Sequence, residues 1–548
     1  MEQTGRRNRE KGNLEGPSTG TCGLRSLGVT AIRTHDFYGP LDMPTLYPDF
    51  GKNPLLQSSY VFTSGVGTSA GDLYQWSSDT VFSAIQSAGF EPYFRIGDSY
   101  NKVKPPSSET ERANWAVAAV QILRHYRTGQ WNGFQSTFQY VEIGNEPDNA
   151  TFWPSPATQI DFFKLYVQTA KAIRAEFPTL RIGGPGLTQN SCASSDTKAW
   201  LSGFLDYVKS NGAPLDFLSW HIYSNAPSDV AACAGFVRST LDGKGLSAVE
   251  SHLTEWNTDA ENKDLAPGDP IKLRADGRGA AILTASWIRL QESKVDQVFH
   301  YRVYDPVGGP RSFYGLLDGN YVCKKPGLAF TLWSAFAKYA NRVTMTQSGG
   351  TSDLVALAAA NEQGGYAVLL ANTGTTAQTW SVGLPALAAG QETFGTVATV
   401  SDAASTVQTA AWDASVSIPA ESVQMAILNT AVPTVSLAAS NTSVAAGQTL
   451  SIDIGVSGLP VDITLPQTRK LYAVLQVGNA VLWLPDLGAA MTPFRQTVTN
   501  GTWNAFSVTM SQELSSALRG QNITWIAAIL DDQLRIVGQL AQAVVRIE

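Results

Sequence analysis

The sequence predicts an α/β protein, a (β/α)8 TIM barrel followed by β-sandwich domains, and two observations predict it. From Leu27 to about Ala340, short apolar runs alternate with helical patterns at the spacing of β/α units. Beyond Ala340, short strand-like runs follow one another across turn residues without intervening helices. The 548 residues suffice for about three domains, and a hydrophobic content of 43% excludes global disorder.

Seven strand-like runs account for the predicted barrel. Each is too short for a helix, and most are rich in Val, Ile, Phe or Tyr. Two intervening segments, 115–126 and 162–177, place apolar residues at the spacing of a buried helical stripe. An eighth strand would close the barrel, so the first strand is expected to be missing or atypical. The seven runs are 29–34, 91–96, 138–143, 180–183, 216–222, 248–254 and 297–301.

Four segments follow from the changes of pattern along the chain. Residues 361–365 join two apolar runs as a predicted hairpin. Pro433 opens a further β-rich block, whose Trp483, Trp503 and Trp525 either form its core or bind carbohydrate. The segments are an atypical polar N-terminus (1–23), the barrel (24–341), a β-sandwich (342–432) and an additional β-rich module (433–548).

Composition and charge exclude two classes of partner. The net charge is −7, and no run of Lys and Arg is long enough to grip a phosphate backbone. No apolar stretch reaches the ~20 residues that a membrane-spanning helix needs. We therefore expect neither nucleic acid nor a membrane as a partner, and the oligomeric state is left open.

We expect this protein to be secreted or extracellular. Charged residues make up only 16%, as is common in exported proteins that handle neutral polar ligands. Four N-x-S/T sequons, at Asn149, Asn441, Asn500 and Asn522, agree with that expectation. The polar, basic N-terminus lacks the apolar region of a signal peptide, so export would use another route or a leader outside this chain.

Residue spacing favours neither a metal nor an organic cofactor. Cys22, Cys192, Cys233 and Cys323 have no metal-ligand spacing, and they allow either two disulfides, in three connectivities, or free buried thiols. The histidines form no HExxH motif, and neither GxGxxG nor a P-loop occurs. The GxSxG match at 67–71 lacks the flanking strand and helix, so we interpret it as a loop.

The strongest chemical signal is the segment 140–148, YVEIGNEPD. A strand ends at Gly144, which places Asn145 and Glu146 at its C-terminal tip, where parallel barrels build their active sites. The apolar strand and Pro147 flank Glu146, which favours a raised pKa and the role of general acid. Asn145 is suited to hydrogen-bond a substrate hydroxyl.

The second signal is the segment 252–257, HLTEWN. Glu255 also ends a strand, and Trp256 offers a flat apolar face on which a sugar ring can stack. Two carboxylates at about 5–5.5 Å support glycoside hydrolysis with retention, one as nucleophile and the other as acid and then base. Glu142 and Glu250 are rival acids, but they lie inside strands, so we interpret them as structural or supporting residues.

Residues from about 24 to 430 resemble glycoside hydrolase family 39, whose members are (β/α)8 barrels with a β-sandwich. Single motifs here are shared by the wider clan of related barrels, whereas the ordered set is specific to the family. The matching segments are 28–36 (GVTAIRTHD), 91–97 (EPYFRIG), 141–147 (VEIGNEP), 219–223 (SWHIY), 254–256 (TEW), 301–305 (YRVYD), 313–319 (FYGLLDG) and 324–327 (KKPG).

The resemblance implies roles for individual residues. Glu146 would be the acid/base and Glu255 the nucleophile of a retaining mechanism, and Asn145 would contact the hydroxyl next to the anomeric carbon. The family's first strand lies upstream of residues 24–28, where this chain is polar and Gly-rich. The residues that would line the sugar pocket are His35, Asp36, His221, Tyr223 and Tyr304.

The family includes β-xylosidases, α-L-iduronidases and bacterial exopolysaccharide hydrolases. A uronate would need basic residues near the pocket, and the strand tips offer mainly Arg33, Arg95 and Arg302, of which the first two are interpreted as structural. A neutral sugar within an oligo- or polysaccharide is therefore the expected substrate, with β-xylosidase-like hydrolysis as the leading activity. Two alternatives stay open: an endo-acting exopolysaccharide glycosidase, and a non-catalytic carbohydrate-binding protein on a glycosidase scaffold.

Overall fold

Two compact units make up the chain, Met1–Thr331 and Leu332–Glu548, and each is described by itself. The structure is a computed structural model. Among the residues that it describes, no helix is long and apolar enough to cross a membrane. The described residues are 23–25, 27–35, 39–63, 77–99, 103–188, 192, 195–258, 272–305, 313–362, 365–384, 394–412, 415–429, 434–457, 470–484, 486–491, 493, 495–496, 506–513, 515–530, 534 and 536–548.

A parallel seven-stranded sheet forms a nearly closed barrel in the first unit. Consecutive strands are neighbours, and every pair is parallel, so all the C-terminal tips lie at one end. The seven predicted strands and the predicted fold class are confirmed. The strands are β1 (Ala31–Arg33), β2 (Glu91–Ile96), β3 (Tyr140–Ile143), β4 (Arg181–Leu187), β5 (Phe217–Tyr223), β6 (Glu250–Asn257) and β7 (Gln297–His300).

Helices connect the parallel strands, because a parallel pair needs a crossover connection. The helix Glu109–Thr128 begins after Ser108, whose side chain caps it, and ends at Gly129 in the left-handed conformation. Its buried face includes Trp115 and Tyr126, which confirms the predicted stripe. The helices are α1 (Ser78–Ser87), α2 (Glu109–Thr128), α3 (Gln159–Glu176), α4 (Ser195–Ser210), α5 (Pro227–Gly243), α6 (Gly277–Leu290) and α7 (Lys325–Phe336), with short turns at Met43–Leu46, Gln57–Ser59, Gln130–Asn132, Lys272–Ala275 and Ser516–Leu518.

An apolar cluster covers the side of the barrel where β1 and β7 are the edge strands. Leu24 and Leu27, ahead of β1, pack with Phe90, ahead of β2, and with Leu316 and Leu317, beyond β7. This cluster brings together the chain segments that flank the two edges, which would otherwise be open to pairing with another chain. The predicted position of a first family strand, within residues 1–21, lies outside the described residues.

One disulfide of the first unit joins Cys192 to Cys233, with 5.3 Å between their Cα atoms. It ties the segment before α4 to α5, across a sequence separation of 41 residues. Of the alternatives left open by the cysteine count, this pair is therefore bonded. Cys22 lies outside the described residues.

The described part of the second unit consists of largely antiparallel sheets, although strands 434–439 and 443–444 both pair parallel with strand 536–547. A six-stranded sheet has the order β13-β12-β15-β10-β9-β8, a two-stranded sheet pairs β11 with β14, and a nine-stranded sheet holds the later strands. In chain order these strands are β8 (Asn341–Val343), β9 (Leu354–Ala360), β10 (Gly365–Asn372), β11 (Gln378–Trp380), β12 (Phe394–Val400), β13 (Gln408–Ala411), β14 (Val416–Ile418), β15 (Ser422–Asn429), β16 (Thr434–Ala439), β17 (Ser443–Val444), β18 (Thr449–Ser457), β19 (Lys470–Val477), β20 (Ala480–Trp483), β21 (Arg495–Gln496), β22 (Phe506–Glu513), β23 (Asn522–Leu530) and β24 (Ile536–Ile547).

Several predictions from the sequence concern this second unit. β9 and β10 pair antiparallel, which confirms the hairpin predicted at residues 361–365. Trp525 is fully buried in the core of the nine-stranded sheet, and Trp483 lies partly buried with its ring 5.8 Å from that of Tyr472. Trp503 lies outside the described residues. The division at residue 432 stays a prediction, although the strands before and after it lie in different sheets.

A buried ion pair anchors the loop that leaves β2 at the C-terminal end of the barrel. The Arg95 guanidinium bonds the Asp42 carboxylate, and both side chains are completely buried. Ser99, two residues beyond Gly97, donates its backbone N–H to Asp42 Oδ2 at 2.8 Å and its hydroxyl to Asp42 Oδ1 at 2.9 Å. The interpretation of Arg95 as structural agrees with these contacts.

Replacement of Asp42 by Asn should destabilise the barrel unit by about 3–5 kcal/mol, because Arg95 would remain as an uncompensated buried charge. Urea denaturation followed by circular dichroism measures this loss. Asp206→Asn is the control, since Asp206 pairs with Lys244 at the surface and should change stability by less than ~0.5 kcal/mol. Equal denaturation midpoints for Asp42→Asn and the wild type would contradict the expectation.

Candidate active site

Glu146 reaches the barrel mouth because the chain turns sharply after β3. Gly144 has φ 102°, and a Cβ atom there would lie 2.8 Å from Phe162 Cζ, so both the backbone angle and the space require glycine. Glu146 itself adopts φ 48°, and its backbone N–H donates to the Gly186 carbonyl at 2.8 Å. This turn places Asn145 and Glu146 above the strand tips.

The carboxyl group of Glu146 lies in a mostly buried, weakly hydrogen-bonded environment. His221 Nδ1 lies 2.9 Å from Glu146 Oε1, and Asn149 Nδ2 donates to Glu146 Oε2 at 3.4 Å. Burial raises the pKa of Glu146 to about 7, although the Asn149 hydrogen bond and the charge of Arg33 act in the opposite direction. A carboxyl group with this pKa can give and take a proton near neutral pH.

Glu255, at the end of β6, receives hydrogen bonds from two neighbours. Tyr223 donates its hydroxyl to Glu255 Oε1 at 2.5 Å, and Arg33 Nη1 donates to Glu255 Oε2 at 3.4 Å. Its side chain is 9% exposed, so these donors replace most of the solvent.

The two carboxyl groups face each other across the mouth. One oxygen of Glu146, one oxygen of Glu255 and a ring nitrogen of His221 all lie within 4.8 Å of one another. Burial lowers the pKa of His221 to about 4, so its imidazole is neutral at neutral pH. The arrangement thus combines Glu146, whose pKa is raised by burial, with Glu255, which accepts hydrogen bonds from Tyr223 and Arg33.

Arg33, on β1, occupies the centre of this arrangement. Its Nε donates to Glu142 Oε2 at 2.6 Å and its Nη2 to Asn145 Oδ1 at 3.0 Å, besides the contact of Nη1 with Glu255. Burial disfavours the charge of Arg33, but Glu142 and Glu255 outweigh this effect and raise its pKa. One buried cation therefore serves two carboxylates and one amide.

The Arg33 contact also sets the orientation of Asn145. A guanidinium group has only donors, so the amide atom that faces Arg33 must be the oxygen. The amide nitrogen of Asn145 is thereby directed elsewhere and is able to donate to a hydroxyl group in the mouth.

Close approach at Gly186 makes this network possible. Gly186 has φ 64°, and a Cβ atom there would lie 3.1 Å from His221 Nε2 and 3.3 Å from Glu142 Oε1. A side chain at this position would press on the neutral imidazole and on the carboxylate that holds Arg33. The glycine therefore contributes space rather than chemistry.

The other predicted pocket residues fall into different places. His35 Nε2 lies 3.8 Å from Glu255 Oε2, and burial, followed by the charges of Arg95 and Arg33, holds the pKa of His35 well below its usual value. Asp36 lies outside the described residues. Tyr304 packs against the apolar cluster beside β1, with its ring 6.0 Å from that of Tyr321.

The predicted stacking role of Trp256 is wrong. Its side chain is completely buried, with ring centroids 6.2 Å from Trp287 of α6 and 6.0 Å from His300 of β7. Successive side chains of a strand point to opposite faces, so Trp256 must face the helical layer if Glu255 faces the mouth. It belongs to the packing between sheet and helix.

Three functional contacts were not predicted from the sequence. Arg33 was interpreted as structural, yet it contacts Glu255, and its position two residues before His35 on one strand face was a signal for this. Tyr223 was expected at the sugar pocket but bonds Glu255 directly. Asn149 gave no sequence signal beyond its sequon, and it reaches Glu146 only because the loop after β3 folds back.

The expected absence of a metal stays a prediction. Glu146, His221 and Glu255 offer the donor types that cations bind. The Arg33 guanidinium lies 3.4 Å from Glu255 Oε2, however, and a second cation at this carboxylate would meet electrostatic repulsion.

Part of the chain is similar to one glycosidase family and to two β-xylosidases. The model described as "Glycosyl hydrolases family 39" matches residues 104–236. A β-xylosidase of Geobacillus stearothermophilus is 30% identical over 263 residues, which cover 42% of this chain and 47% of the relative. A β-xylosidase of Caldicellulosiruptor saccharolyticus is 29% identical over 178 residues, which cover 30% of this chain and 33% of the relative. The matched part spans less than half the length of these relatives. The family model confirms the resemblance to family 39.

A solved structure supports the fold. The crystal structure of a glucosidase from Croceicoccus marinus has a TM-score of 0.56 and 22% sequence identity, covering 76% of this chain and 95% of that chain. At this identity the likeness concerns the architecture, a barrel followed by β-sheets.

Trp256→Ala should lower the free energy of unfolding by about 3–5 kcal/mol and leave KM for a glycoside nearly unchanged, because Trp256 packs between sheet and helix. Chemical denaturation and initial-rate kinetics at low temperature check both quantities. A raised KM at unchanged stability would instead indicate a sugar platform and contradict the buried position.

Proposed function

We propose that this chain is a retaining glycoside hydrolase that cleaves a β-glycosidic bond of a neutral sugar, with β-xylosidase-like activity. The observation that carries the proposal is the opposed pair Glu146 and Glu255, with oxygens within 4.8 Å. Carboxyl groups about 5–5.5 Å apart suit double displacement, whereas inversion needs roughly 6.5–9.5 Å to admit a water between them. The family match and the two β-xylosidase relatives support the reaction class.

In the first step, the Glu255 carboxylate attacks the anomeric carbon. The bond to the leaving oxygen breaks, and Glu146 gives its proton to that oxygen, which departs as an alcohol. In the second step, ionised Glu146 takes a proton from water, and the resulting oxygen attacks the anomeric carbon. The bond to Glu255 breaks, the carboxylate is regenerated, and the configuration is retained.

Surrounding groups fit these two roles. The pKa of Glu146, raised by burial, leaves the group protonated for the first step near neutral pH. Tyr223 and Arg33 donate hydrogen bonds to Glu255 and fix its orientation. The free amide nitrogen of Asn145 is suited to donate to the hydroxyl beside the anomeric carbon, where hydrogen bonds strengthen in the transition state.

The distribution of charge favours a neutral sugar. Arg33 is engaged by Glu142 and Glu255, and Arg95 is engaged by Asp42 in the buried core. Two of the three basic residues considered for a uronate are therefore committed to internal partners. Substrates of the relatives named β-xylosidase agree with an uncharged sugar ring.

A 2-fluoro β-xyloside with an activated leaving group should label Glu255, which peptide mass spectrometry detects. Glu255→Ala should lower kcat by roughly 10³-fold or more and abolish labelling. Glu250→Gln is the control, because Glu250 lies at the other end of β6 and pairs with Arg181. Labelling of another residue would overturn the assignment, and sugar binding without turnover across a broad panel would favour a binding protein.

Activity should fall as pH rises through about 7, because Glu146 must carry a proton in the first step and its raised pKa lies there. The Asn149 hydrogen bond lowers this pKa, so Asn149→Ala should move the alkaline limb of kcat/KM upward by roughly half a pH unit. A pH series of kcat/KM for both proteins measures the shift. Movement of this limb to lower pH would show that Asn149 acts differently.

A further inference from the structure

A third carboxylate, Glu142, lies beneath the catalytic pair. It sits on β3 between Val141 and Ile143, and its side chain is completely buried. Its Oε2 accepts from Arg33 Nε at 2.6 Å, whereas Glu255 accepts from the same guanidinium at 3.4 Å. The shorter contact means that Glu142, and not the nucleophile, is the main partner of Arg33.

Several groups keep Glu142 ionised in this position. Thr254 donates its hydroxyl to Glu142 Oε1 at 2.8 Å. Burial opposes ionisation of Glu142, but Arg33, His221 and Ser219 outweigh this effect and lower its pKa. The charged, titratable and hydrogen-bonding groups that face it are Arg33 from β1, Tyr93 from β2, Ser219 and His221 from β5, and His252 and Thr254 from β6.

The charges in the mouth must be considered as a set. Arg33 supplies one positive charge, while Glu142 and Glu255 supply two negative charges, and His221 is neutral at neutral pH. Without Glu142, the whole charge of Arg33 would act on Glu255. A carboxylate that is fully paired with a guanidinium is a weaker base and therefore a weaker nucleophile.

We propose that Glu142 is a positioning residue that holds Arg33 by its Nε and cancels much of its charge, so that Glu255 stays basic enough to attack the sugar. The inference rests on the proposed function and deepens it. Through the same contact, Glu142 also fixes the guanidinium plane that orients the Asn145 amide.

The two chemical steps respond in opposite directions to the strength of the pairing between Arg33 and Glu255. In the first step Glu255 forms a bond to the anomeric carbon and loses negative charge, so stronger pairing with Arg33 slows it. In the second step Glu255 leaves the anomeric carbon with the electron pair, so stronger pairing favours it. A residue that only maintained the fold would affect both steps alike.

Glu142→Gln tests this directly, because it removes the charge and keeps the shape. Its amide oxygen can accept from Arg33 while its amide nitrogen donates to the Thr254 hydroxyl. The acid limb of kcat/KM, which reports ionisation of the nucleophile in the free enzyme, should move to lower pH by about one unit. Inactivation by the 2-fluoro glycoside at neutral pH should slow by about tenfold, while reactivation of the labelled enzyme should not slow. An unchanged acid limb, with both rates reduced alike, would overturn the inference.

Two companion variants keep the test decisive. Glu250→Gln removes a carboxylate that pairs with Arg181 and His252 away from the mouth, so its acid limb should match that of the wild type. An equal shift there would overturn a local role for Glu142. The double variant Arg33→Gln/Glu142→Gln removes both charges and should return the acid limb to within about half a unit of the wild type.

The double variant also serves if Glu142→Gln fails to fold, because it removes one positive and one negative charge together and leaves the net charge of the mouth unchanged. An acid limb shifted upward by a unit or more would then mean that Arg33 acts on Glu255 without cancellation, and the inference would be wrong. Labelling of the wild type distinguishes a failure of the proposed function from a failure of the inference about Glu142. If Glu255 of the wild type is not labelled, the proposed function fails. If Glu255 is labelled but Glu142→Gln slows inactivation and reactivation equally, only the proposed role of Glu142 is refuted.

Discussion

Burial of the Arg33 guanidinium is the constraint on which the rest of the site depends. A charged group in this position is costly unless it is paired and hydrogen-bonded. Here Glu142, Glu255 and Asn145 supply acceptors to three different nitrogens of the guanidinium. A single side chain therefore positions Glu255, the proposed nucleophile, together with the Asn145 amide and the Glu142 carboxylate.

Around this cation, two glutamates of identical chemistry occupy opposite environments. Glu255 has a tyrosine hydroxyl and a guanidinium as donors, whereas Glu146 has a neutral imidazole and one long amide contact. Burial without strong compensation raises the pKa of Glu146 to about 7. The proposed division of labour between an acid/base and a nucleophile thus rests on which neighbours each carboxyl group has, and not on the residue type.

The barrel creates these environments by local irregularities at the strand tips. Along β5 and β6 the register passes from Trp220 opposite Leu253 to His221 opposite Glu255, so Thr254 has no partner on β5. This bulge allows the adjacent residues Thr254 and Glu255 both to face the barrel interior. Thr254 donates a hydrogen bond to Glu142, and Glu255 accepts one from Arg33. Gly144 and Gly186 supply the positive φ angles and the space that the turn and the network require.

The sequence by itself determined the seven strands, the alternation with helices and the placement of Glu146 and Glu255 at strand tips. These features are local, because apolar periodicity and turn chemistry are written in neighbouring residues. The sequence was interpreted as offering Trp256 to a sugar ring, and its burial between sheet and helix corrected that prediction. Only the tertiary structure decided that Arg33 bonds Glu142, that Tyr223 bonds Glu255, and that Asn149 reaches Glu146. Most of those contacts join residues that lie 32 to 222 positions apart, and the contact of Asn149 depends on a folded loop. Their geometry depends on strand register and burial, which no single segment of the sequence specifies.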